Sequence, residues 1–247
     1  MAKIILAASV GIGGRNYPTD VRKIQDRLKA LGFYNGVSDG LIGPKTIYSI
    51  RLFQSVIVGR RMIGGDGRID VGGETHRWLE ATNTPFWIRM PEKGTGFVNA
   101  EAIDKKDKHD FGTSWLADTL SKAAEAYYTK FAKEHDRSPM LINDASLELG
   151  GDTPDHAGHE TGLDIDLRLP KKDPDDWSGA VWMSREYDRL ATRAQIHALL
   201  NQSMVSIVYF NDPELLRETI NGRPICKKVS GHDNHIHVCI EPPVRSN

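Results

Sequence analysis

The apolar positions of the first eighty residues recur at helical spacing. Val21, Ile24, Leu28 and Leu31 repeat every three or four residues, as one buried helix face requires. Thr19 stands where an N-cap is expected, Asp20 suits the positive first turn, and Gly32 offers a left-handed C-cap. Asn35-Gly36 and Asp39-Gly40 predict turns. Pro44 opens a second helix, with Thr46, Ile47, Ile50, Leu52 and Phe53 as its inner face. After a glycine-rich loop at 64–67, a short third helix fits Glu74–Ala81, anchored by Trp78 and Leu79.

Beyond residue 83 the pattern changes. Residues 84–96 hold two prolines and two glycines and read as a linker. A long helix is expected over Ser114–Glu134, with Leu116, Leu120, Ala123, Ala124, Tyr127 and Phe131 as its stripe. Met140–Leu149 reads as a strand and 150–155 as a loop. Leu163–Leu169 alternates strictly: Leu163, Ile165, Leu167 and Leu169 share one face, Asp164, Asp166 and Arg168 the other. A polar excursion at 171–179 follows, then a helix over Arg185–Asn201 and a strand over Val205–Phe210. Asp212-Pro213 marks the start of a short helix, and His235–Ile240 is the last strand. Helices and short strands without regular βαβ alternation predict an α+β fold. The expected layout is a small three-helix N-terminal domain over 1–83, the linker, and an α+β domain with a central antiparallel sheet over 97–247.

With 247 residues, 39% hydrophobic and 26% charged, the chain is long enough for two globular domains. No apolar run reaches the length of a transmembrane helix, and no membrane partner is expected. The first ten residues hold one lysine and a short apolar stretch that runs straight into Gly11–Arg15, which reads as the start of a folded domain rather than a signal peptide. Two cysteines, Cys226 and Cys239, do not make a disulfide framework, and buried thiols are the preferred reading over one bridge. Residues 1–85 carry 12 Lys and Arg against 7 Asp and Glu, whereas the remainder carries 20 against 26. A basic module on a mildly acidic body suits an anionic polymer. No aromatic–basic interleaving marks nucleic acid as that partner.

Five of the nine histidines fall in two clusters, His156/His159 and His232/His235/His237. His159 and Asp166 lie seven apart with Gly162 between them, which lets a loop histidine and a strand aspartate converge. His235 and His237 share a strand face by period-two alternation. Two histidines and one aspartate would leave an open position on a tetrahedral ion, the arrangement of a catalytic rather than a structural site. Asp164 shares the face of Asp166 and is a candidate for support or for ligation itself. Trp177 and Trp182 could line a groove or simply pack. His76, His109, His135 and His197 are read as surface or helix residues without a role.

Two family resemblances organise these observations. Ser9–Asn16, Asp20–Gln25, Leu28, Leu31, Gly32, Asp39-Gly40, Gly43-Pro44, Thr46 and Phe53-Gln54 resemble the peptidoglycan-binding domain carried by many wall hydrolases. This resemblance spans roughly residues 8–83 and implies a three-helix module that holds bacterial peptidoglycan. Asn143-Asp144, Ser146, Gly150-Gly151, Pro154, His156, His159, Gly162, Asp164 and Asp166, followed by His232–His237, resemble the penicillin-insensitive murein endopeptidases. Those belong to the wider zinc-peptidase group that includes lysostaphin-type enzymes and D-Ala-D-Ala carboxypeptidases. Over 97–242 the likeness implies Zn²⁺ on His159, Asp166 and His237, with His235 as general base or transition-state hydrogen-bond donor. It makes His156 and His232 site-lining residues. The implied reaction is hydrolysis of a wall peptide bond, the D-Ala–meso-diaminopimelate cross-link. D-Ala-D-Ala or L-alanyl-D-glutamate peptidases of the group are the near alternative; they use a glutamate shortly before the last histidine, where this chain offers only Asp233. A binding-only wall protein is the non-enzymatic alternative. The expected setting is a monomeric phage-type endolysin, made in the cytoplasm and released onto the wall, with export as the alternative.

Overall fold

A computed structural model describes residues 3–100, 102, 108–153 and 158–246. The fold is α+β, as the pattern predicts, with a mostly antiparallel sheet. The N-terminal part runs β1 (Val10–Gly11), α1 (Pro18–Ala30), α2 (Pro44–Ile57), β2 (Arg68–Ile69) and α3 (Glu74–Glu80), with β1 and β2 paired antiparallel. Tyr17, not Thr19, stands at the N-cap of α1 and makes no side-chain capping bond. Pro18 starts the helix earlier because its fixed φ suits the first turn, where a missing N–H loses nothing. At the other end Gly32 lies at φ +84°, and the Phe33 N–H reaches the Leu28 carbonyl at 2.9 Å, a Schellman closure.

Two buried glutamines fix the loops between these helices. Gln25 accepts the Gly40 N–H at 2.9 Å, and its amide nitrogen lies 2.9 Å from Asp39 Oδ1 and 3.1 Å from the Leu41 carbonyl. Gln54 does the same for the next loop, accepting from Gly67 N at 2.9 Å and donating to Asp66 Oδ1 at 2.7 Å. Each side chain satisfies backbone groups that burial would otherwise orphan.

The stretch expected as linker is structured. Within it lie β3 (Trp87–Arg89) and β4 (Lys93–Gly94), and β3 pairs antiparallel with β6 (Phe111–Thr113). Trp87 is buried, donates its indole N–H to the Glu148 carbonyl at 2.7 Å, and sets its ring 5.7 Å from that of Phe33. Its backbone N–H meets the Leu31 carbonyl at 2.7 Å. The apolar core therefore runs without a break from the N-terminal helices into the second half. Pro85 and Pro91 punctuate this stretch without loosening it, because one large apolar side chain between them is buried from both sides. Trp87→Ala is expected to destabilise the whole chain by about 3–5 kcal/mol. A shift of the denaturant midpoint would show it, and a loss below about 1 kcal/mol would contradict this role.

The second half continues with β5 (Phe97–Asn99), α4 (Ser114–Tyr127), β7 (Met140–Ile142), β8 (Asp164–Arg168), α5 (Arg189–Leu200), β9 (Val205–Tyr209), the small pair β10 (Thr219–Ile220) and β11 (Arg223–Pro224), and β12 (His235–Ile240). Thr113 caps α4 by accepting from the Leu116 N–H, and the helix runs on through a π turn to His135. β7 is shorter than the predicted Met140–Leu149, because Asn143 and Asp144 leave the sheet after Ile142. α5 starts at Arg189 rather than Arg185, where the Asp188 carboxylate accepts from the Ala191 N–H. Asp212-Pro213 leads only to a 3₁₀ turn, Leu215–Arg217, since Asp212 is bound to Tyr187 and Arg189 as well as to the Glu214 N–H.

The main sheet has the order β4-β5-β7-β8-β12-β9, antiparallel except for the parallel β5–β7 pair. One face buries Ile165, Leu167, Ile236 and Val238 in the same apolar cluster as Leu120, Ala124, Ile196 and Leu199 of α4 and α5. The opposite face carries the polar residues. Among the described residues no helix is long and apolar enough to cross a membrane.

Candidate metal centre

β8 and β12 lie side by side with His235 opposite Arg168, His237 opposite Asp166 and Cys239 opposite Asp164. Alternation puts all six on one sheet face. His159 arrives from outside the sheet, on the 3₁₀ turn His159–Thr161 that Gly162 closes at φ +65°. A Cβ at Gly162 would lie 2.6 Å from the Trp87 ring and 2.8 Å from Gly112 Cα. Only glycine fits both the dihedral and the space. Gly162→Ala should therefore lower both stability and metal affinity, read by thermal melting and metal titration; a variant that matches the unaltered chain in both would contradict this.

Three of the predicted side chains meet. His159 Nε2 lies 3.2 Å from His237 Nδ1 and 3.5 Å from Asp166 Oδ1, while His237 Nδ1 lies 2.9 Å from Asp166 Oδ1. Donors about 2.1 Å from a tetrahedral ion stand about 3.4 Å apart, so these separations are close to three vertices of such a site. His159 Nδ1 lies 2.9 Å from the Ala145 carbonyl, which fixes its proton there and frees Nε2. On the far side of the His237 ring, Nε2 faces Asp164 Oδ1 at 3.6 Å. Two nearly inaccessible carboxylates, Asp164 and Asp166, thus flank one imidazole and demand positive charge. His159, Asp166 and His237 can hold a metal ion, and Asp164, His237 and Cys239 form a second possible group. A set of two imidazoles and a carboxylate suits zinc and ferrous iron.

Electrostatics make the same demand. Burial works against charge on His237, but the facing carboxylates of Asp164 and Asp166 outweigh it and push the ring up to about 12. Burial alone would raise Asp166, yet its hydrogen bonds to His159 and His237 hold it far below the ordinary carboxylate range. A proton thus stands where a metal would. The His237 value lies above its unfolded one of about 6.5, so its contribution to metal-free stability is full below 6.5 and fades toward 12. Metal uptake through Nδ1 must displace that proton. Calorimetry in buffers of different ionisation enthalpy should show about one proton released per ion, with affinity rising about tenfold per pH unit near neutrality. Uptake without proton release would contradict this arrangement.

Around this point lie further rings. His235 Nε2 is 3.6 Å from Asp166 Oδ2, and its Nδ1 is 2.8 Å from Asn234 Oδ1. The His232 ring lies 4.7 Å from that of His235 and 5.4 Å from that of His237, and Tyr209 stands 5.8 Å from both His232 and His237. These residues line a cleft of about 530 Å³, and a second hollow of about 810 Å³ continues past His235, Asp166 and Arg168. His156 lies outside the described residues. Asp233 accepts at one oxygen from Trp182 Nε1 at 3.0 Å and from Asn211 at 3.2 Å, bonds that lower its pKa. Trp182 thus holds the loop that carries His232, and Trp177 donates to the Pro174 carbonyl. Cys226 and Cys239 are buried free thiols. His109 is neither exposed nor helical: it is buried 3.6 Å from Asp144. Sequence reasoning passed over Tyr209, a strand residue without a motif, and Arg61, described below.

The N-terminal half contributes the next observation, because its helical pair and the two glutamine-held loops coincide with a known pattern. A family model described as a putative peptidoglycan binding domain matches residues 18–56, which span α1 and α2. The chain carries an N-terminal peptidoglycan-binding domain. No curated protein gives a match to the chain.

The loop that follows the peptidoglycan-binding helices touches the candidate centre. Thr161 donates to the Arg60 carbonyl at 2.7 Å, and Ile63 N–H donates to Glu160 Oε2 at 2.8 Å, so the His159 turn is gripped from both ends. Arg61 enters the cleft itself, with Nε 3.5 Å from Asp164 Oδ1 and Nη2 2.9 Å from Glu241 Oε1. Its partners lie about a hundred or more positions away in sequence, so no local pattern signals them.

Proposed function

We propose that this chain is a zinc-dependent peptidoglycan endopeptidase, cutting the D-Ala–meso-diaminopimelate cross-link and acting as a lytic endolysin. The observation that carries this reading is the convergence of His159, Asp166 and His237 beside His235, in a chain that also holds a peptidoglycan-binding domain. The likeness of 97–242 to the murein endopeptidases favours zinc over the other ions that suit these donors. Bound there, the ion would supply Lewis acidity toward the scissile carbonyl and lower the pKa of a water to about 7.

The remaining work falls to the chain. His235 offers Nε2 into the cleft to take the water proton and return it to the leaving amine. His232 stands within ring contact of His235 and can donate to the developing oxyanion. Asp166 Oδ2, 3.6 Å from His235 Nε2, would stabilise the imidazolium once that nitrogen has taken the proton, while its other oxygen faces the ligand nitrogens. Asp233 is turned onto Trp182 and Asn211, which argues against its serving as the base of a D-Ala-D-Ala-type peptidase.

Mass spectrometry of muropeptides from meso-diaminopimelate sacculi tests the bond assignment. Conversion of cross-linked dimers to monomers is expected. Loss of only a terminal D-alanine, or scission inside the stem, would move the assignment to the related peptidases. Tight binding to sacculi without new products would leave only the wall-binding function.

A further inference from the structure

His237 stands between two possible coordination sets. Through Nδ1 it joins His159 and Asp166; through Nε2 it faces Asp164, with Cys239 beside it. A ligating imidazole uses one nitrogen and keeps its proton on the other, so filling one set empties the other. Both sets have donors that zinc accepts. The selection therefore needs a cause.

Arg61 supplies one. Asp164 is fully buried, and neither of its oxygens accepts a hydrogen bond. Its charged neighbours are Arg61 Nε at 3.5 Å and His237 Nε2 at 3.6 Å. The guanidinium is itself held by Glu241 at 2.9 Å and reaches the Leu163 carbonyl at 3.4 Å. A fixed cation at this distance neutralises Asp164 and repels a metal ion from it. Asp164 is then left to support the Nε2 side of His237, which turns Nδ1 toward His159 and Asp166.

We propose that Arg61 is a positioning residue of the metal centre: by holding Asp164 it reserves His237 for His159 and Asp166 and denies the ion to the Asp164–His237–Cys239 set. The inference rests on the metal-centre reading above. It makes the segment after the peptidoglycan-binding helices part of the centre rather than a tethered arm. The same loop holds the His159 turn through Arg60 and Ile63, so two of the three favoured donors depend on it.

Cobalt(II) titration of the full-length chain reads the donor set directly, because a coordinating thiol is deprotonated and gives a sulfur-to-cobalt charge-transfer absorption in the near ultraviolet. The unaltered chain should bind cobalt without that band. Arg61→Ala and the longer Arg61→Gln should bind cobalt with the band, and adding Cys239→Ser should remove it. Arg61→Lys, which keeps the charge, should resemble the unaltered chain. If Arg61→Ala does not fold, Arg61→Gln carries the comparison. A thiolate band in the unaltered chain, or its absence in both uncharged variants, overturns the proposal. An unaltered chain that takes up no cobalt overturns the metal-centre reading itself, a separate result.

Discussion

Asp166→Asn is expected to leave the fold intact and to abolish both metal retention and cross-link hydrolysis. The substitution keeps size and shape but removes the carboxylate charge whose Oδ1 lies within 3.5 Å of both ligand-type nitrogens. Without that charge, the other carboxylate that faces His237 is Asp164, which Arg61 already engages. Lewis-acid assistance is worth several kcal/mol of transition-state stabilisation, so turnover should fall by about 1,000-fold or more. Metal analysis after gel filtration, beside circular dichroism to confirm folding, checks it. A folded variant that retained its metal and hydrolysed wall at the normal rate would refute Asp166 as a ligand.

His235→Ala has a different expected signature. His235 shares the strand face of His237, but its Nε2 points at the second oxygen of Asp166, 3.6 Å away, rather than into the nitrogen cluster. Its loss should lower turnover by about 100- to 10,000-fold, the range for a positioned general base or acid. Metal content and sacculus binding should be unchanged. Loss of metal instead would make His235 a ligand, and unchanged turnover would remove it from the chemistry. His232→Ala should act in the same direction and more weakly, since that ring meets the cluster through the rings of His235 and His237.

Strong periodicity made much of this legible in the sequence. The α1 stripe, the Pro44 start of α2 and the His235–Ile240 strand follow from residues that satisfy local rules and tertiary burial at once. Alternation puts Asp164 and Asp166 on one face of β8 and His235 and His237 on one face of β12; the pairing of the two strands, which makes it a single face, is seen only in the structure. What escaped was short or non-local. β3, β4, β5 and β6 are two or three residues each, too brief to show a period. Trp87 sits among prolines and glycines that read as linker, and its burial depends on Phe33 and Glu148 far away in the chain. The seven-residue spacing from His159 favours Asp166 as the ligand and leaves Asp164 as support or alternative; in the structure they flank opposite nitrogens of His237. Arg61 has no motif at all, because its place is fixed by partners from β8 and from beyond β12.

The proposed function requires this face of the sheet to be a metal centre that hydrolyses wall peptides. The most direct measurement strips the full-length chain with a chelator, reloads it with zinc, and follows conversion of cross-linked muropeptide dimers to monomers. No conversion by the stripped chain, recovery on reloading, and no recovery for Asp166→Asn are expected. Conversion that persists in the chelated, metal-free chain would contradict that function.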